Sequence, residues 1–277
     1  MQVQSTGGRL FVTEGLRTAN ALRKTSKELE KLLDQLSTAK RITSAADDAA
    51  GLGISEQLTT QVRGFQTASQ NISDATAMLT IADGAGQDVS ELLGRQRELA
   101  VQAQNGTLSS NDRASLNTEY QAITQEIGRV SKVTNYNNQQ ITSGDNAVSK
   151  IQVGPNAGDE LTVPHMDLKS IAKQIGPTEI STAEGANLAL AAIDGAVDGL
   201  NKSRSTIGST INRLTSAGDT LVVAMNNTQA AQSIIADEDM AMGLAKLTQQ
   251  KILQEGALKT FGRFNELSKN HVIGLLE

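Results

Sequence analysis

The sequence predicts a mainly α protein: a long antiparallel helical rod, or coiled-coil bundle, in which the N- and C-terminal regions pair, with one small β-hairpin. Leu58, Phe65, Ile72, Leu79 and Leu93 sit on one seven-residue grid. Towards the other end, Ile193, Val197, Leu200, Ile207, Ile211, Leu214, Leu221 and Met225 follow a 4-3 spacing. Apolar residues so spaced make one narrow seam along a long helix, and a seam of that kind is buried only against a second helix. Here the natural partner lies far away in the chain. Composition agrees: aromatics are 2% of 277 residues and Trp is absent. Helices packed through Leu, Ile, Val and Ala need fewer rings than a compact core of this size.

The elements follow in order. A first helix is expected over about 10–37, with Ala19, Leu22, Ser26, Leu29, Leu33 and Leu36 on a 3-4 spacing and Lys24, Lys27, Glu28, Glu30 and Lys31 mostly off it. A polar connector follows, STAKRITSAADDAAG. A long helix is expected over about 55–103, roughly 70 Å at the helical rise. Gly84 and Gly86 inside it each cost about 1 kcal/mol relative to Ala, and read either as a tolerated weak point or as the close approach of a neighbouring helix. Asn105-Gly106 should end it, with Gly at C′, and Ser109, Ser110 or Asn111 should cap the next helix. Leu116, Tyr120, Ile123, Ile127 and Val130 carry that helix's seam, so an antiparallel αα-hairpin is expected.

Composition shifts at Asn135. NYNNQQ has no periodicity and reads as loop, and Pro155, Pro164 and Pro177, the three prolines of the chain, all follow it. A β-hairpin is expected near 148–165, from the alternating ends of IQVGPNAGDELTV around Gly154-Pro155-Asn156 and Gly158. So small a hairpin needs packing on the helices. Thr182 or Ser181 should cap the long C-terminal helix. A final helix is expected over about 240–268, its seam marked by Leu244, Leu247, Leu258 and Phe261 and interrupted at Lys251 and Gln254. Ile252 and Leu253 suggest that its apolar face rotates or widens.

Little in the chain suggests a reaction centre. Net charge is −5 with both signs interspersed, which does not make a nucleic-acid surface. Without Cys there are no disulfides and no thiolate chemistry. The two histidines, His165 and His271, lie far apart with no ligand spacing around them. No nucleotide, hydrolase or zinc motif occurs, so neither metal nor cofactor is expected. Asp47-Asp48 and Asp237-Glu238-Asp239 read as caps and dipole partners at helix starts. No apolar stretch reaches 18 residues, which argues against membrane insertion, and MQVQSTGGRLFVTEGL lacks a conventional signal pattern.

KRITSAADDAAGLGISEQL (40–58) and RELAVQAQNGT (97–107) resemble the G-x-R-I-N-S-A-x-D-D-A-A-G-x-x-I and R-E-L-A-V-Q-x-x-N-G-T motifs of the bacterial flagellin family. TNYNNQQI is similar to x-x-F-N-G-x-x-L, with Tyr136 for Phe and Asn138 for Gly. ALAAIDGAVDGLNKSRSTIGSTINRL and ADEDMAMGLAKLTQQKILQEGALKTF resemble the C-terminal conserved region. Ala39 stands where the family has Gly. VQSTGGRLF replaces its I-N-x-N start, and FNELSKNHVIGLLE its usual C-terminus, with Phe261, Phe264 and Gly274 as unusual choices.

The resemblance implies a short form with only the two inner domains: a helical terminal domain, 1–44 and 236–277, and a helical rod with the β-hairpin, 45–235. It implies a non-enzymatic subunit that polymerises into the extracellular flagellar filament for motility. Export by the flagellar type III apparatus is implied with it, as are a chaperone, a filament cap and junction proteins as partners. The polymerisation seam is expected to comprise Leu22, Leu29, Leu33, Leu36, Leu244, Leu247, Leu258 and Phe261. A surface for a host flagellin-sensing Toll-like receptor is expected at Arg95, Arg97, Glu98, Leu99 and Glu119. The alternatives are the related hook–filament junction protein and, in another class, an intracellular helical signalling rod.

Overall fold

The structure, a computed structural model, describes the backbone of residues 3–142, 144 and 148–273 and the side chains of 13–142, 144, 148–267 and 269. Among these, six helices and two antiparallel strand pairs occur: α1 Val3–Thr38, α2 Ala49–Ala103, α3 Ser110–Val133, β1 Asn135–Tyr136, β2 Gln139–Gln140, β3 Val148–Gln152, β4 Glu160–Pro164, α4 Leu168–Ile175, α5 Ala183–Ala236 and α6 Met240–Ile273. The mainly α class with one pronounced β-hairpin is as the spacing predicted. By packing, the chain forms two units, residues 1–60 with 228–277 and residues 61–227.

The second unit holds the continuous apolar core. Phe65, Ile72, Leu79 and Leu93 of α2 are buried, as are Ile193, Leu200, Ile207, Leu214 and Leu221 of α5. The two seams meet antiparallel, with polar clasps at their margins. Arg97 Nε donates to Asp194 Oδ1 at 2.8 Å, Gln104 Nε2 to Asn187 Oδ1 at 2.6 Å, and Arg204 Nε to Asp83 Oδ1 at 2.8 Å. Of the paired glycines, only Gly86 makes room for a neighbour. A Cβ there would lie 2.8 Å from Met166 Cε, whereas one at Gly84 would meet nothing within 4 Å.

Helix α3 returns along this pair, burying Tyr120 and Ile127. Ser109 is its cap, in a reciprocal capping box with Asp112. The end of α2 differs from expectation. Gly106 has no positive φ; instead the Arg113 guanidinium reaches back, Nε to Ala103 O at 2.8 Å and Nη2 to Asn105 O at 2.9 Å. A side-chain cation thus satisfies carbonyls that a left-handed glycine would otherwise serve. Tyr120 Oη lies 2.5 Å from Thr178 Oγ1, and Asn117 Oδ1 accepts from Ile180 N at 2.9 Å, so α3 also anchors the approach to α5. Thr182 then caps α5 through Gly185 N at 3.0 Å.

Two central elements were not foreseen. NYNNQQ is a tight hairpin, β1 pairing β2, rather than a loop; Asn137 and Asn138 both have positive φ, 48° and 61°, the pair a two-residue primed turn needs. Helix α4 is a short amphipathic piece burying Leu168, Ile171 and Ile175, capped by Asp167. The expected hairpin is β3–β4, with Ile151 opposite Leu161. Its turn packs on α2, where a Cβ on Gly64 would lie 2.8 Å from Pro155 Cβ.

The first unit is built differently. Helices α1 and α6 lie antiparallel, and the connector returns against the end of α5. Arg41 N donates to Ala236 O at 2.7 Å and Glu238 N to Ala39 O at 3.1 Å. Its buried apolar residues, among those described, are Ile42 and Ala236. Helix α2 begins six residues before the expected 55, because Asp48 Oδ1 accepts from Gly51 N at 2.8 Å and caps it there.

Candidate functional site

The expected seam residues separate into two sets on the first unit. Leu22, Leu29 and Leu36 of α1 and Leu247 and Phe261 of α6 are half-buried in the α1–α6 pair. Leu33, Leu244 and Leu258 point outwards, 47%, 53% and 52% exposed. The face that α6 turns to α1 runs through Gly243, Leu247, Gln250, Gln254, Ala257, Phe261 and Phe264. Gln254 is therefore part of the seam and Leu244 is not. Apolar spacing alone missed this because two of the inward positions are polar. Ile252 and Leu253 are also exposed. The outward leucines leave an apolar surface that no described residue of the chain covers.

Between α1 and α2 a network holds the connector. Asp47 Oδ2 accepts from Thr43 N at 3.1 Å, Thr43 Oγ1 at 2.9 Å and Ser44 N at 3.0 Å, while its Oδ1 lies 2.7 Å from Lys31 Nζ. These bonds, the one from Lys31 foremost, hold the carboxyl far below the ordinary carboxylate range. Arg41 Nη2 donates to Ile235 O at 2.6 Å, and Gln35 Nε2 to Arg41 O at 2.6 Å. On α6, Asp239 Oδ1 accepts from Ala241 N and Met242 N at 2.9 and 3.1 Å. The acidic pairs thus behave as caps and braces.

On the second unit, Arg95 bridges two helices. Its Nη2 and Nε lie 2.7 and 2.9 Å from Glu119 Oε1 of α3, and Nη1 is 3.0 Å from Glu98 Oε2. Glu119 first, then Glu98, raises the guanidinium pKa above its ordinary value. Arg97 faces α5 through Asp194. Leu99 departs from the expected surface: it is 0% exposed, inside the core beneath these charges. The four-residue step from Arg95 overlooked how steeply burial changes around a helix that packs on two sides.

Elsewhere, a cleft of 400 Å³ lies between the two hairpins and α2, lined by Asn71, Asp74, Tyr136 and Lys150 among others. Ser149 Oγ lies 2.8 Å from His165 Nε2, and burial lowers that imidazole's pKa. The His271 side chain and Gly274 lie outside the described residues. Among the described residues there is no cluster of three or more metal-ligating side chains, and no helix is long and apolar enough to cross a membrane.

Residues 13–147 match the family described as bacterial flagellin N-terminal helical region, and 190–276 its C-terminal helical region. The chain is 35% identical over 262 residues to a flagellin of Halalkalibacterium halodurans, covering 93% of this chain and 96% of that one. It is 30% identical to a flagellar filament 30.7 kDa core protein of Treponema maltophilum, covering 86% and 89%. Among solved structures, the Bacillus cereus flagellin superposes with a TM-score of 0.51 at 30% identity, over 55% of this chain and 88% of that one.

Proposed function

The chain belongs to the bacterial flagellin family and is a structural subunit that polymerises into the flagellar filament; on that premise we propose how its parts divide the work. The inner domain is residues 1–44 and 236–277, and the remainder, 45–235, is the outer one. Leu22, Leu29, Leu36, Leu247 and Phe261 join the terminal helices, and Leu33, Leu244 and Leu258 meet neighbouring subunits. The observation that carries this is the outward exposure of those three leucines on a unit whose described residues form almost no buried core. A subunit with unlike ends associates head-to-tail and so builds an open helix. The work is mechanical and needs no catalytic residue. The chain leaves the cell through flagellar export, kept soluble by a chaperone, and adds beneath a cap above junction proteins. Leu33→Asp and Leu244→Asp should each abolish filaments seen by electron microscopy while leaving the helical circular-dichroism signal of the soluble chain nearly unchanged. Normal filaments from both would refute the assignment.

The Arg95–Glu119–Glu98 surface, with Arg97 beside it, is the proposed contact for a flagellin-sensing Toll-like receptor, with Leu99 supporting it from within. An arginine already held between two carboxylates is a positioned interface anchor. Receptor binding by the soluble chain should fall on Arg95→Ala; equal affinity of the two, or no binding by the parent chain, would count against the surface.

A further inference from the structure

Four separate contacts mark the alignment of α1 against α6. Near one end, a Cβ on Gly243 would lie 2.8 Å from Leu36 Cδ2, so the bare glycine is the notch in which the end of that leucine rests. Near the other, a Cβ on Gly15 would lie 2.7 Å from Phe264 Cε1 and 3.0 Å from Cζ. Between these notches, Gln250 Nε2 donates to Glu28 Oε2, and Gln254 Nε2 donates to Ser26 Oγ at 3.3 Å. From Gly243 to Phe264 the chain advances 21 residues along α6; from Leu36 back to Gly15 it retreats 21 along α1. That span is roughly 30 Å of helix. All four contacts therefore specify the same antiparallel alignment.

Apolar spacing alone would not. Leu22, Leu29 and Leu36 recur every seven residues, so a slip of one heptad exchanges leucine for leucine. In one direction the notches oppose the slip: Phe264 would meet Leu22 instead of Gly15, and Leu36 would meet Gln250. In the other direction the notches tolerate it, since Phe264 would face Gly8 and Leu29 would stand over Gly243. There the glutamines oppose it, because they would face Ala21 and Ala19 and lose both hydrogen-bond partners.

We infer that Gly15–Phe264, Gly243–Leu36 and the Gln250/Gln254 pair form a register lock, the notches excluding one slip and the glutamines the slip that the notches permit, and that the lock selects one alignment of the terminal helices in the polymer. The alignment decides which outward residues of α6 stand beside those of α1, and so the surface the next copy of the chain meets. Phe264, which departs from the family's usual C-terminal sequence, acquires a role as the knob for Gly15.

The absence of cysteine allows a direct test. Leu32→Cys with Leu247→Cys reads the locked alignment. Thr25→Cys with Leu247→Cys reads the slip that only the glutamines oppose. Filaments are oxidised, and non-reducing electrophoresis separates bonds within one chain from bonds between chains. The locked pair should close within one chain at least about tenfold faster than the slipped pair, as a polar contact that specifies register would require. Adding Gln250→Leu and Gln254→Leu should raise closure of the slipped pair severalfold. Leu22→Cys with Ala257→Cys is a second reader of the locked alignment should the first disturb assembly. Equal closure of locked and slipped pairs, bonds mainly between chains, or no response to the leucine substitutions would overturn the lock. The inference rests on the filament reading. Failure of the parent chain to polymerise would count against that reading, whereas filaments with the wrong thiols joined would count against the lock.

Discussion

Ala39 ends α1 in the left-handed region, with φ 53°, and Lys40 N closes back onto Gln35 O at 3.1 Å. That is a Schellman-type end, at which a side chain is strained and glycine is not. Ala39→Gly should therefore raise the stability of the first unit by about 1 kcal/mol, read as a higher midpoint in denaturant unfolding of filaments; an unchanged or lower midpoint would contradict it. Asp47 acts through charge. Its pKa is lower folded than unfolded, so its contribution is fully present above the unfolded value and is lost as pH falls towards the folded one. Acidification below about pH 4 should loosen the connector. Amide exchange at Thr43 and Ser44, whose N–H groups bond this carboxylate, should accelerate there relative to neighbouring connector amides. Asp47→Asn should remove that pH response.

At the scale of the helix, the two glycines of α2 make opposite predictions. Gly84 has open space where a Cβ would go, so Gly84→Ala should stabilise the chain by up to about 1 kcal/mol through helix propensity. Gly86 is the socket for Met166, which is fully buried, so Gly86→Ala must push the thioether aside and should cost about 1–3 kcal/mol despite the same gain in propensity. Thermal unfolding of the two variants, compared side by side, tests the socket. Equal shifts of the same sign would mean that Met166 adapts freely. Surface charges weigh less at this scale: the clasps of Arg95 and Arg97 are about half exposed, and solvent screening leaves such pairs little net stabilisation.

Across the whole molecule, buried apolar area is distributed unevenly. The continuous core runs from Phe65 to Leu221 and belongs to residues 61–227, while α1 and α6 meet through half-buried leucines and two glutamines. Ordering long helices costs conformational entropy that so thin a seam offsets poorly. Folding of the terminal helices should therefore be linked to assembly. Hydrogen exchange is expected to show weak protection of residues 16–36 in the monomer and strong protection in the filament. Strong protection in the monomer would contradict the linkage.

The sequence by itself determined the long paired helices, the two or three candidates among which the caps Ser109 and Thr182 fall, and the β3–β4 hairpin, because heptad seams and turn residues are local properties that one segment carries whole. The Asn137-Asn138 turn was equally local and could have been read from the tolerance of asparagine for positive φ. Helix α4 carried its signal in Leu168, Ile171 and Ile175, too few residues between two prolines to separate helix from loop. Tertiary structure alone decided which leucines of α1 and α6 face each other, since Gln250 and Gln254 hide the seam from any apolar count and only the notches at Gly15 and Gly243 reveal the partner's shape. It alone placed Leu99 beneath Arg95 rather than beside it. Spacing assigns a residue to a face of its own helix, but whether that face meets water or a second and third helix depends on chain returning from a hundred residues away.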